Sequence, residues 1–171
     1  MPERKLIVFV CTANICRSPM AQQLLRHALN AEAEPLRSLQ VVSAGISAYG
    51  GDPASPNSVR VLESVGLDLS DHVSQRLTQE MVDQSFAIFC MTSLHKVLVE
   101  TQFDPPCEHL YLMREFIAGD GDREIPDPYG QDRAAYEAAR DAMVEAVPSI
   151  LNFLRKKLLP GQSPSSARSK P

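Results

Sequence analysis

The chain has 171 residues, enough for one domain with a hydrophobic core of its own. Hydrophobic residues make up 44%, and the net charge of -4 with no dense basic stretch argues against a nucleic-acid partner. No apolar run is long enough to span a membrane. Residues 6–10 are too short for a signal-peptide core, so a cytoplasmic location with no membrane partner is expected.

Residues 6–10 read Leu-Ile-Val-Phe-Val, an unbroken apolar run that predicts a strand buried on both faces. Cys11-Thr12-Ala13-Asn14-Ile15-Cys16-Arg17-Ser18 follows. Ser18 reads as a helix N-cap with Pro19 as the first helical residue. Met20, Ala21, Leu24, Leu25, Ala28 and Leu29 then recur on one helical face, to about Asn30. A short strand is predicted over 39–42, closed by Ser43-Ala44-Gly45, and Tyr49-Gly50-Gly51 marks a loop tip. Ser55-Pro56 starts a second helix, carrying Val59, Val61, Leu62 and Val65, and Gly66 is placed to end it. Thr78 caps a short helix to about Gln84, and 86–91 is another apolar strand. Thr92 or Ser93 caps a helix expected to turn Leu94, Val97 and Leu98 inward, stopped by Asp104-Pro105-Pro106. The last strand is 110–113. A loop over 114–132 follows, long enough to suggest a function. A long helix from about Arg133 uses Ala135, Ala139, Met143, Ala146, Val147, Ile150, Leu151 and Leu154, with a kink expected at Pro148. Residues 160–171 read as a disordered tail by composition.

Strands alternating with helices predict an α/β domain with a single open parallel sheet flanked by helices. The segment 11–18 lies at the carboxyl end of the first strand, where such sheets place ligands. A loop at a helix N-terminus presents free backbone N–H groups at the positive end of the helix dipole, an anion site that suits phosphate. Thiols so placed are pushed toward the nucleophilic thiolate, and Arg17 adds a fork that takes two phosphoryl oxygens. A nucleophile inside a phosphate cradle points to phosphoryl transfer through a phosphocysteine. The phosphate-binding residues are then Thr12, Ala13, Asn14, Ile15, Cys16, Arg17 and Ser18. Four cysteines could make two disulfides, but a chain of this size needs no such staples. Their spacing lacks the paired short repeats of a zinc site, so no metal or other cofactor is expected. Cys90 reads as core and Cys107 as a loop thiol without function.

Cysteine, five residues, then Arg-Ser-Pro after a strand resembles the low-molecular-weight protein tyrosine phosphatases. The resemblance runs from Leu6 to about Leu158 and includes Ser43-Ala44-Gly45, His72, the stretch Met91-Thr92-Ser93-Leu94-His95-Lys96, and Asp127-Pro128-Tyr129-Gly130. It implies a bacterial-type member near the protein arginine phosphatase branch, with a phosphatase domain over 1–158, a tail over 159–171, and a four-stranded sheet of flavodoxin-like order. It implies that Cys11 is the nucleophile, Arg17 the phosphoryl clamp and Asp127 the general acid. Asp127 is chosen over Asp120, Asp122 and Asp132 because its Asp-Pro-Tyr-Gly setting matches the acid loop.

The resemblance further implies that Asn14 holds the loop shape, bonded to Ser43 and His72, that Ser18 bonds the Cys11 sulfur, and that Cys16 is its redox partner. Ile15, Tyr49 and Tyr129 would form the substrate walls. The implied activity is hydrolysis of phosphotyrosine on a phosphorylated protein, opposite a tyrosine kinase, with a monomer favoured. Protein arginine phosphatase is the close alternative. That branch carries threonine where this chain has Ile15, which ranks phosphotyrosine first. Thiol-dependent arsenate reductase ranks lower, because Val97 stands where its cysteine relay would continue from Cys90. A phosphocysteine carrier would have no need of Asp127, and a non-catalytic phosphate-binding module would need neither Cys11 nor Asp127. The chain departs from the family pattern at Ala13, where glycine is usual, and in having one tyrosine in the acid loop where many eukaryotic members have two.

Overall fold

Apolar residues in unbroken runs can be buried only inside a sheet covered on both faces, and that is where the two longest runs lie. The computed structural model describes residues 4–159. In chain order these form β1 (Leu6–Cys11), α1 (Arg17–Asn30), a single 3-10 turn (Leu36–Ser38) and β2 (Gln40–Gly45). Then come α2 (Pro56–Glu63), α3 (Gln79–Gln84), β3 (Ser85–Cys90), α4 (Ser93–Gln102), β4 (Leu110–Leu112) and α5 (Arg133–Leu158). The sheet has four strands in the order β2-β1-β3-β4, all parallel, as expected. The tail over 160–171 lies outside the described residues.

Strand alternation divides the core into two layers. Ile7 and Phe9 of β1 point to the face covered by α1, α2 and α5, where Leu25, Leu62, Met143 and Ile150 meet them. Val8 and Val10 point to the other face, toward Val82 of α3 and Val99 of α4. Each of these side chains, fully removed from water, contributes about 1.5–3 kcal/mol. The central strands β1 and β3 are thus pinned from both sides. Their carboxyl ends, from which the site is built, inherit that rigidity. No helix among the described residues is long and apolar enough to cross a membrane.

Several boundaries differ from the sequence reading. α1 begins at Arg17 with Cys16 at the cap position, so Ser18 is not the N-cap and Pro19 is not the first helical residue. The reason is chemical: the Ser18 hydroxyl is engaged by the Cys11 sulfur and the Asn14 amide, and is not free to cap. β2 extends through Gly45, so Ser43-Ala44-Gly45 belongs to the strand. On α4, Leu94 and Val97 are exposed, and His95 and Val99 are the buried residues. The Thr92 cap sets this phase, because its side chain accepts the backbone N–H of His95. As read from the sequence, α5 is one long helix that continues through Pro148, which lies on its exposed face.

Candidate active site

The loop from Cys11 to Arg17 joins the end of β1 to the start of α1. It is wrapped tightly because neighbouring backbone closes on it. Ile46 N–H donates to the Cys11 carbonyl at 2.9 Å and Ser47 N–H to the Thr12 carbonyl at 3.0 Å. A Cβ on Gly45 would lie 2.6 Å from the Thr12 oxygen and 2.7 Å from the Ala48 Cβ, so only glycine lets the two segments approach so closely.

Asn14 fixes the loop from inside. It is fully buried, with φ at 60°, a left-handed conformation that asparagine tolerates better than most residues. Its Nδ2 donates to Ser18 Oγ at 2.8 Å and to Ser43 Oγ at 2.9 Å, and its Oδ1 accepts the Gln75 N–H at 2.9 Å. Ser43 in turn donates to Gln22 Oε1 at 2.7 Å. Because Ser18 Oγ already accepts from Asn14, its hydroxyl hydrogen is available to the Cys11 sulfur 2.9 Å away. Asn14 N–H reaches the same sulfur at 3.3 Å. Negative charge on Cys11 is therefore met by two donors. Ala13 does not share the left-handed backbone of Asn14, so its Cβ brings no strain to the position where glycine is usual.

Two histidines support the loop from opposite sides. His72 Nε2 lies 2.7 Å from the Asn14 carbonyl, to which it must donate. Its pKa is lowered, mainly by burial. His95 Nε2 lies 2.9 Å from Thr12 Oγ1 and its Nδ1 3.1 Å from Thr92 Oγ1. Burial first, and the nearby Arg17 charge second, push its pKa down to about 4. Sequence reasoning gave His72 its place but missed His95. The Thr92 cap was the signal, since it puts the residue three positions later on the loop side of the helix.

Arg17 is buried. Its Nη1 donates to the Ile125 carbonyl at 3.0 Å and its Nη2 lies 3.5 Å from Asp127 Oδ2. Ile125 is itself buried, its N–H donating to the Met91 carbonyl at 2.9 Å. The segment 124–127 is thereby held against the end of β3 and the guanidinium together. Glu124 Oε1 adds a bond from Ser93 N–H at 2.8 Å. Asp127 remains half exposed, and its Oδ1 accepts Tyr129 N–H at 3.1 Å. The other loop acids are placed elsewhere: Asp132 caps α5, Asp122 accepts Glu124 N–H, and Asp120 is exposed.

These residues enclose a cleft of about 270 Å³ lined by Cys11, Thr12, Ala13, Ile15, Cys16, Arg17, Asp127 and Tyr129. Tyr49 is not among them: it is fully exposed on a tip turned by Gly50 and Gly51, whose φ values of +92° and +87° suit glycine. Cys16 is buried, its sulfur 3.4 Å from the Tyr136 hydroxyl, and burial raises its pKa. Cys90 is fully buried in β3, and burial pushes its thiol far up. Cys107 is also buried, near Ser85 Oγ at 3.7 Å.

A thiol on the floor of a loop at a helix N-terminus, with a buried guanidinium beside it and a carboxylate facing that guanidinium, defines a cysteine-dependent phosphatase. Residues 6–159 match the family model described as low molecular weight phosphotyrosine protein phosphatase, and the chain belongs to that family. It is 38% identical to the protein-arginine-phosphatase of Geobacillus stearothermophilus over 92% of this chain and 97% of that protein. It is 35% identical to the probable low molecular weight protein-tyrosine-phosphatase EpsP of Ralstonia nicotianae, over 88% of this chain and 97% of that one. The crystal structure of the tyrosine phosphatase AmsI of Erwinia amylovora superposes with a TM-score of 0.77 at 32% identity, covering 88% of this chain and 93% of the other.

Proposed function

We propose that this phosphatase hydrolyses phosphotyrosine on proteins, with Cys11 as nucleophile, Arg17 as clamp and Asp127 as general acid and base. The phosphoryl group docks over Cys11, its equatorial oxygens taking the N–H groups at the start of α1 and the Arg17 guanidinium. The Cys11 sulfur attacks phosphorus in line, the ester P–O bond breaks, and Asp127 gives its proton to the leaving oxygen. Asp127, now a carboxylate, takes a proton from water as that water attacks the phosphocysteine, releasing phosphate and restoring the thiolate.

The observation that carries the choice of substrate is the cleft lining. Ile15 and Tyr129 put apolar surface beside the reacting sulfur, which suits an aromatic ester. A phosphoarginine would leave its remaining N–H donors against Ile15 without partners, at about 1–3 kcal/mol each. The reading is supported by the relatives named as tyrosine phosphatases. The 38% identity to an arginine phosphatase favours the second reading, protein arginine phosphatase. The test is the ratio of kcat/KM for phosphotyrosine and phosphoarginine peptides in wild type and in Ile15→Thr. Wild type should prefer phosphotyrosine, and the variant should move toward phosphoarginine. A wild-type preference for phosphoarginine makes the second reading the correct one.

Cys16 is the proposed redox partner. Peroxide oxidises Cys11 to a sulfenic acid, and the Cys16 thiol displaces its hydroxyl as water, leaving a disulfide. Mass spectrometry after mild peroxide should show the linkage in wild type, and Cys16→Ser should recover less activity on adding thiol.

A further inference from the structure

The hydrogen bonds around His95 have a direction, and it ends in the cleft. Thr92 Oγ1 accepts the His95 backbone N–H at 3.4 Å, as the cap of α4. Its own hydroxyl hydrogen can then be given to His95 Nδ1, 3.1 Å away. A neutral imidazole carries one N–H, so with Nδ1 accepting, the proton sits on Nε2. In that tautomer Nε2 donates to Thr12 Oγ1, 2.9 Å away. Thr12 is left with its own hydroxyl hydrogen uncommitted, on an exposed residue that lines the cleft directly beside Cys11.

We propose that Thr12 is a substrate-contacting residue whose hydroxyl, oriented by the uncharged His95, donates to a phosphoryl oxygen in the cleft. His95 is the positioning residue, acting through Thr12, and Thr92 sets its tautomer. This rests on the phosphatase reading above and adds a side-chain donor to the backbone N–H groups of the loop. The surroundings keep the ring neutral. Burial does most to oppose a second proton and Arg17, from α1, adds to it, whereas Asp127 and Glu124, from the acid loop, favour one. A protonated ring would donate from Nδ1 as well as Nε2 and break the bond from the Thr92 hydroxyl. The arrangement also explains a buried histidine on the inner face of a short helix where an apolar residue would pack more simply.

Two measurements test this on the intact protein, with inorganic phosphate as the probe. Nitrogen-15 NMR of the wild type should show His95 as the neutral tautomer with its proton on Nε2. The inhibition constant of phosphate should rise about 10-fold in Thr12→Val and in His95→Leu, the loss expected for one hydrogen bond to a charged group. Thr12→Ser and His95→Gln, which keep the hydroxyl and the N–H, should stay near wild type. A proton on Nδ1, or an unchanged phosphate constant in Thr12→Val, overturns the proposal. Because phosphate is common to both substrate classes, these outcomes are read separately from the phosphotyrosine and phosphoarginine ratio, and failure to hydrolyse either peptide would indict the functional reading alone.

Discussion

The loop 11–17 and the loop 114–132 meet over the same cleft, yet they are built in opposite ways. The first is short and lies between two regular elements. It is filled by a buried Asn14 whose amide is satisfied at both ends, and backed by Gly45, His72 and His95. The second is long and mostly exposed, and is held at points. Arg123 gathers the carbonyls of Glu115, Ile117 and Gly119, Arg114 ties the Asp122 carbonyl to α5 through Ala142, and Ile125 is clamped between Met91 and Arg17. The contrast teaches a division of labour. Oxyanion binding should be insensitive to damage in the second loop away from Ile125 and Asp127, which touch Arg17, and proton transfer should be the step that such damage affects.

The largest effect tests the first loop. Cys11→Ser should abolish turnover while oxyanion binding persists, since the helix N-terminus and Arg17 are untouched. Substantial hydrolysis of an aryl phosphate by that variant would rule out the phosphocysteine. Next is the carboxylate of the second loop. Asp127→Ala should cost about two to four orders of magnitude in kcat for phenolic esters. The cost should shrink for acidic phenols, which leave without a proton. The plot of log rate against leaving-group pKa should steepen in the variant, and a slope equal to wild type would remove Asp127 from the role.

The two loops also differ in how far they could be read from the chain. The first was legible because its chemistry is local. Cys11, Arg17 and the strand and helix on either side lie within one short stretch, and the apolar run 6–10 announced a strand buried on both faces. The sheet, its parallel sense and nearly every element followed from the same alternation of runs and caps. What escaped depended on contacts between distant segments. Spacing alone reads Ser18 as a cap; its bond to Cys11 is implied only by the resemblance, because Cys11 and Asn14 reach it through a fold that spacing does not show. The phase of α4 was set by its apolar residues, when the Thr92 cap and the bond to Thr12 turn His95 inward instead. Tyr49 is a wall residue by resemblance alone, and it stands exposed beside two glycines of positive φ, outside the cleft lining. Asp127 is singled out by its motif alone. Its fixation by Ile125 and Arg17 is three-dimensional and left no mark in the spacing.

Arg123 sharpens the contrast with an intermediate effect. Its guanidinium is the knot of segment 115–119 and touches none of the cleft-lining residues. Arg123→Ala should loosen the loop that carries Asp127 and lower kcat roughly 10- to 100-fold, because small misplacements of a catalytic group are costly. The inhibition constant of inorganic phosphate should stay within about 3-fold of wild type, since one factor of 10 already corresponds to about 1.4 kcal/mol of binding. Equal losses in kcat and in phosphate binding would show that the two loops are one cooperative unit and that the division of labour is wrong.

The smallest effect is a pH dependence of stability tied to the first loop, because both supporting histidines bond to it from other segments. His95 is held neutral in the fold, with its pKa lowered from 6.5 to about 4, and that of His72 is lowered as well. The unfolded chain therefore binds more protons than the folded one between about 4 and 6.5. Stability must then rise with pH across that window and level off above it. Acidifying from pH 7 to pH 5 should cost roughly 1–2 kcal/mol through His95, read as a lower urea midpoint with an unchanged m-value. In His95→Gln, which keeps an uncharged N–H facing Thr12, most of that slope should vanish. His72→Gln should flatten it less. Arg123→Ala should leave it unchanged, since neither histidine contacts the knot. A slope that survives His95→Gln would mean that carboxylates and not the loop histidines set the acid limb, and the difference between the two loops would then lie in catalysis and not in their response to acid.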